Sequence, residues 1–156
     1  MAPSERFASE RLVELGITLP SVPPVAGAYV PAVRTGSLVY TAGQIPFVDG
    51  TVAATGKVGA EISVERAKEL ARVCALNALA AVDALVDIDA VVRVVKIVGF
   101  VASAPGFTGQ PQVVNGASEL FGEVFGDAGQ HARSAVGVAE LPLGVPVEVE
   151  LIVEVG

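Results

Sequence analysis

The clearest pattern lies at the end of the chain. From Val147 to Val155 apolar and polar positions alternate, with Val147, Val149, Leu151, Val153 and Val155 on one side and Glu148, Glu150, Ile152 and Glu154 on the other. A period of two belongs to a strand with one covered face. Ser134 to Glu140 predicts the strand before it, joined through Leu141-Pro142-Leu143-Gly144-Val145-Pro146. Ala90 to Ser103 is rich in valine and predicts a long strand buried on much of both faces. Val30–Arg34 and Leu38–Thr41 predict a pair of strands around the turn Thr35-Gly36-Ser37. Pro46 ends regular pairing, and the Gly- and Ala-rich residues 47–60 read as loop with room for one short strand.

Helical periodicity marks three segments. Ser63 to about Val86 predicts the longest, with Ser63 as N-cap and Glu65 in the first turn. Its second half is apolar nearly all round, which predicts cover on more than one side, by the sheet and by the N-terminal helix or a neighbouring subunit. Residues 111–125 predict a second helix, with Val113, Val114, Ala117, Leu120, Phe121 and Val124 on its apolar side and Gly126 as its stop. Residues 4–15 predict a short first helix capped by Ser4 and stopped by Gly16. Leu19-Pro20-Ser21-Val22-Pro23-Pro24-Val25 is an extended linker, because each Pro fixes its own φ and disfavours helix before it. The order ββ, α, β, α, ββ predicts an α+β fold with both main helices on one face of the sheet. Residues 1–25 form an N-terminal helix and Pro-rich linker, and residues 26–156 a single domain.

Composition adds an expectation of assembly. Apolar residues make up 52% of 156 positions, and mean hydropathy is +0.61. That excludes disorder. No transmembrane span is expected, since Arg93 and Lys96 interrupt the most apolar run, Val91–Ala102, and a span needs roughly 20 apolar residues. Covering the excess against further copies of the chain is the simplest solution. Net charge is −7 and the ten cations are scattered, so no nucleic-acid partner is expected. The start Met-Ala-Pro-Ser-Glu-Arg lacks an apolar signal core and reads as cytoplasmic.

Candidate chemistry is sparse. One histidine, His131, and one cysteine, Cys74, are present, so neither a His cluster nor a Cys-rich zinc site can form, and no metal is expected. Cys74 sits mid-helix among apolar neighbours and reads as a buried structural thiol. His131 lies in a Gly-rich turn and is expected to face solvent. Arg133 stands out, opening an apolar strand after small residues. A guanidinium beside apolar surface suits a carboxylate, held through two parallel hydrogen bonds. The alternative is an ion pair with Glu148 or Glu150 on the neighbouring strand. Taken singly, Glu148 reads more as a wet-face residue, and Tyr29 and Gln44 more as framework, than as ligands.

Several blocks read together carry a resemblance. They are Ala28-Tyr29-Val30, Tyr40-Thr41-Ala42-Gly43-Gln44-Ile45-Pro46, Val114-Asn115-Gly116-Ala117, Ala132-Arg133-Ser134-Ala135-Val136, and Leu141-Pro142 through Val147-Glu148-Val149-Glu150. In order and spacing they resemble the reactive-intermediate deaminase family, also called YjgF-like or Rid, whose older labels are translation inhibitor and L-PSP endoribonuclease. The resemblance covers about residues 26–155. It implies a chorismate-mutase-like fold, a homotrimer with a central barrel, and three clefts between subunits. It also implies cofactor-independent hydrolysis of 2-imino or 2-enamino acids to 2-keto acids and ammonia. Carried over, Arg133 binds the substrate carboxylate, Glu148 helps hold the water, Tyr29 and Gln44 shape the cleft, and Asn115 lies beside it, with Tyr29 and Arg133 of one cleft from different subunits. Ala42 stands where many relatives have Ser, and Ala135 where Cys is common. A non-catalytic trimer that senses small carboxylates is the alternative, and a ribonuclease or translation inhibitor a third reading that the negative charge opposes.

Overall fold

The alternating segment Val147–Val155 takes the centre of the sheet. The computed structural model describes residues 6–156. Along the chain come α1 (Ala8–Glu14), β1 (Ala32–Thr35), β2 (Leu38–Thr41), β3 (Phe47–Val48), β4 (Thr51–Val52) and α2 (Val64–Val86). They are followed by β5 (Val91–Ala102), α3 (Gln110–Phe125), β6 (Ala132–Val138) and β7 (Val147–Val155). Five strands form one mixed sheet in the order β1-β2-β7-β5-β6. Only β5 and β6 are parallel, because the α3 crossover carries the chain back to the same end.

All five odd-numbered side chains of β7, from Val147 to Val155, are buried against the helices. Burial of each such side chain is worth about 1.5–3 kcal/mol, which is why the most strictly alternating strand is the central one. β5 is buried on its helix side and half-covered on the other. α2 packs on β7 and α3, while α3 packs on β5 and β6. The two helices approach closely where Gly116 of α3 meets the backbone of Lys68 in α2. The second cover of α2 is therefore α3, not α1, which rests on α3 and the turn at 88–90.

Local signals explain most boundaries. Ser63 caps α2, its Oγ accepting from the Arg66 N–H at 3.1 Å. α1 is shorter than its sequence suggests. Phe7 occupies its N-cap position without a side-chain bond, and the expected cap Ser4 lies outside the described residues. Gly16 turns the chain out of α1 at φ 70°. Residues 47–60 hold two short strands where room for one was expected. β3 and β4 pair around Asp49-Gly50, both at positive φ, a dipeptide suited to the tightest hairpin turn. Buried Asn77 of α2 donates to the Ile45 and Phe47 carbonyls and so ties this loop to the core.

The face of the sheet away from the helices stays open. The cross-strand register places Val33, Tyr40, Ile152, Lys96 and Ala132 in one row there, and Glu148, Phe100 and Val136 in another. Val33, Tyr40 and Val136 are exposed. Among the described residues no helix is long and apolar enough to cross a membrane.

Candidate active site

Arg133 lies on the edge strand β6, in a row that runs Ala32, Thr41, Leu151, Ile97, Arg133 across the sheet. Ile97 and Leu151 are buried against the helices, so Arg133 also projects to the helix side. Its guanidinium meets α3. Nη1 donates to Asn115 Oδ1 at 2.8 Å and to Ser118 Oγ at 3.2 Å, and Nη2 donates to the Pro111 carbonyl at 3.3 Å. Asn115 and Ser118 are three residues apart and share one helix face. Three of the five guanidinium N–H groups are thus engaged. Nε–H and one Nη2–H have no partner among the described residues, and they are suited to a two-bond grip on a carboxylate.

The ion pair considered from the sequence is absent. No carboxylate lies within ion-pair distance of Arg133 among the described residues. The neighbour of β6 is β5, and β7 lies beyond it. Glu148 and Glu150 also project to the other face, in the rows of Phe100 and Val98.

Glu148 is half-buried on the open face and lies over Gly43, where a side-chain carbon would collide with its carboxylate. Burial, followed by the nearby charge of Glu150, pushes the Glu148 carboxyl above the usual glutamate range. Gln44 sits next to this point. Its backbone exchanges two hydrogen bonds with Val149, at 2.8 and 3.0 Å. Its buried side chain donates to the Ala42 carbonyl at 3.3 Å. Tyr29 precedes β1 at the opposite edge, its hydroxyl accepting from the Ala26 N–H at 3.3 Å. β1 and β6 are separated by four strand spacings, about 19 Å. Of the residues singled out in the sequence, one protomer therefore brings only Asn115 to Arg133.

His131, expected to face solvent, is half-buried between α3 and the turn before β6. Its Nδ1 lies 2.7 Å from the Gly129 carbonyl and its Nε2 2.9 Å from Ser118 Oγ. The ring stands edge-on to Phe121 at 6.0 Å. The turn 126–129 folds the chain onto α3, and Gly129 fits because a Cβ there would strike the Phe121 carbonyl. The spacing of Ser118 from Asn115 was the available signal for this cluster. Asn115, Ser118, Gln130, His131 and Arg133 line an open cleft of about 380 Å³. A larger hollow of about 530 Å³ lies between α1 and the end of α3. Its polar groups are engaged: Arg11 Nε donates to the Glu123 carbonyl, and Ser9 bonds Asp89.

Cys74 is fully buried on α2, its Sγ 3.7 Å from the Val147 carbonyl. Burial pushes its thiol far up, so it is framework and not a nucleophile. Among the described residues no three His, Cys, Asp or Glu side chains are grouped to hold a metal.

Known proteins are similar to this chain in sequence and fold. Residues 20–155 match the family described as Endoribonuclease L-PSP. Protein TCP17 of Trypanosoma cruzi is 46% identical over 145 residues, covering 92% of this chain and 91% of that protein. The 2-iminobutanoate/2-iminopropanoate deaminase of Salmonella typhimurium is 35% identical over 136 residues, covering 87% and 94%. The crystal structure of a protein of unknown function from Agrobacterium tumefaciens superposes with a TM-score of 0.88 at 45% identity, covering 96% of this chain and 94% of that one. That overlap takes in α1, which precedes the family match.

Proposed function

The chain belongs to the Endoribonuclease L-PSP family, the YjgF-like or Rid family, and on that footing we propose that it hydrolyses 2-imino or 2-enamino acids to 2-keto acids and ammonia. The observation that carries this reading is Arg133, fixed by α3 on one side and, among the described residues, left with two N–H groups and no carboxylate partner on the other. A 2-imino acid carries a carboxylate one bond from the electrophilic carbon. Gripping the carboxylate orients that carbon, and orientation supplies much of the rate when the electrophile is already reactive. Water adds to the C=N carbon, and the tetrahedral adduct expels ammonia to leave the ketone. A carboxyl with a raised pKa is suited to exchanging protons with that water, and Glu148 is the candidate.

Arg133 and Glu148 of one protomer face opposite sides of the sheet, so the working cleft is proposed to lie between copies. The open face, where Val33, Tyr40 and Val136 are exposed among charged side chains, is the surface they would bury, and a homotrimer closed around it, with the sheets forming a barrel, is the proposed assembly. Tyr29 and Gln44 would shape the cleft from the adjacent copy, and Asn115 would hold Arg133 in place. No resident cofactor enters this scheme.

The test is hydrolysis of imino acids generated by an amino-acid oxidase, with keto-acid release followed and the free imine trapped by semicarbazide. Wild type should accelerate release, and Arg133→Lys should lose about ten- to a hundred-fold, since Lys keeps the charge but not the planar fork. Binding of a keto acid without acceleration would instead make the protein a carboxylate sensor.

A further inference from the structure

The histidine, the serine and the arginine beside the cleft form a chain of hydrogen bonds whose direction is fixed at one end. The Gly129 carbonyl can only accept, so the His131 Nδ1 that lies 2.7 Å from it carries the proton. In a neutral ring Nε2 is then an acceptor. Its partner is Ser118 Oγ at 2.9 Å, so the Ser118 hydroxyl donates to it. The remaining lone pairs of Ser118 accept from Arg133 Nη1 at 3.2 Å.

We propose that His131 and Ser118 are positioning residues for Arg133, a relay held in the Nδ1–H tautomer that keeps Nη1 on α3 and turns the Nε–Nη2 edge toward the substrate carboxylate. The assignment rests on Arg133 being the carboxylate anchor. Each part has a structural support. Phe121 meets the ring edge-on on one side, and Gly129, whose carbonyl the ring bonds, is packed against the Phe121 backbone. Asn115 Oδ1 is the second acceptor for Nη1. With both acceptors in place, both N–H groups of Nη1 are used and cannot compete for substrate. Without the His131 acceptor, the Ser118 hydroxyl is free to turn its hydrogen toward the guanidinium. Arg133 would keep Asn115 and Pro111 and remain charged, but it would be held less firmly. The carboxylate grip is the same before and during hydrolysis, so its loss raises KM more than it lowers kcat.

His131 is the only histidine of the chain, which makes its ring nitrogens an unambiguous spectroscopic probe. With nitrogen-15-labelled histidine, ligand-free protein with a neutral ring should show the proton on Nδ1 and an unprotonated Nε2. A ring protonated on Nε2 overturns the relay. The functional arm uses His131→Leu, His131→Gln and Ser118→Ala, each alone, and His131→Leu combined with Ser118→Ala. His131→Leu should raise KM, and the Kd for 2-oxobutanoate, about ten-fold with kcat little changed. His131→Gln, which keeps an acceptor, should recover part of the loss. In the Ser118→Ala background His131→Leu should add nothing, because the link is already cut. An equal loss in both backgrounds shows a packing role for His131 and overturns the proposal. A wild type that neither binds 2-oxobutanoate nor hydrolyses the imine overturns the functional reading, while the tautomer still decides the relay.

Discussion

Arg133 and Glu148 project from opposite faces of one sheet, with β5 between their strands. No side-chain rotation brings them together through the sheet, so a cleft that uses both must join two copies. Arg133→Ala and Glu148→Gln proteins should each be nearly inactive alone. Co-expressed in equal amounts in a closed ring, they should rebuild an intact pairing in about a quarter of the clefts. Recovery of about that fraction of wild-type turnover checks the arrangement, and no recovery would place it in doubt.

Gly116 tests the contact between the two long helices. A methyl group there would overlap the Lys68 carbonyl, a backbone atom that cannot turn aside. Gly116→Ala should destabilise by about 1–3 kcal/mol despite its better helix propensity. That corresponds to a fall in Tm of about 2–12 °C for a chain of this size. Gly122, on the same helix, has open space around its Cβ position. Gly122→Ala should be neutral or stabilising by up to about 1 kcal/mol, and paired thermal melts separate the two.

The thiol of Cys74 should be inert in the native protein. Burial raises its pKa and excludes reagent. A thiol-specific chromogenic reagent should find no reactive thiol under native conditions at neutral pH and one per chain after denaturation. Fast native labelling would show α2 opening away from β7.

The raised carboxyl of Glu148 gives a signed pH dependence. The folded chain binds this proton more tightly than the unfolded chain, so its contribution favours the fold most at low pH. That contribution is lost as pH rises from the ordinary glutamate range through the raised value. Glu148→Gln removes the titration. Relative to wild type, its Tm should therefore rise more at pH 7 than at about pH 4. A difference that does not change with pH would show that Glu148 is not perturbed in the fold.

Much of this molecule is legible in local pattern. Strict alternation from Val147 to Val155 is the burial pattern of the central strand, Ser63 is the cap of α2, and the Val113-to-Val124 stripe is the buried face of α3. These features depend on a residue and its near neighbours in the chain, so a linear reading reaches them. The Asp49-Gly50 hairpin was equally local, and its signal was present in the dipeptide. Arg133 could be singled out because a guanidinium at the start of an apolar strand is unusual in any context.

Tertiary structure decided which residues meet. Strands adjacent in sequence, β6 and β7, are not adjacent in the sheet, because the last strand enters between β2 and β5. That insertion, with the register it imposes, set Arg133 and Glu148 on opposite faces and removed the alternative of an ion pair between them. His131 appeared solvent-facing in sequence because nothing local shows that the turn 126–129 folds back onto Phe121 and Ser118. The sequence by itself determined the elements, their covered faces and the arginine. Strand order and register determined the arginine's partners, since they bring together residues that no period along the chain connects.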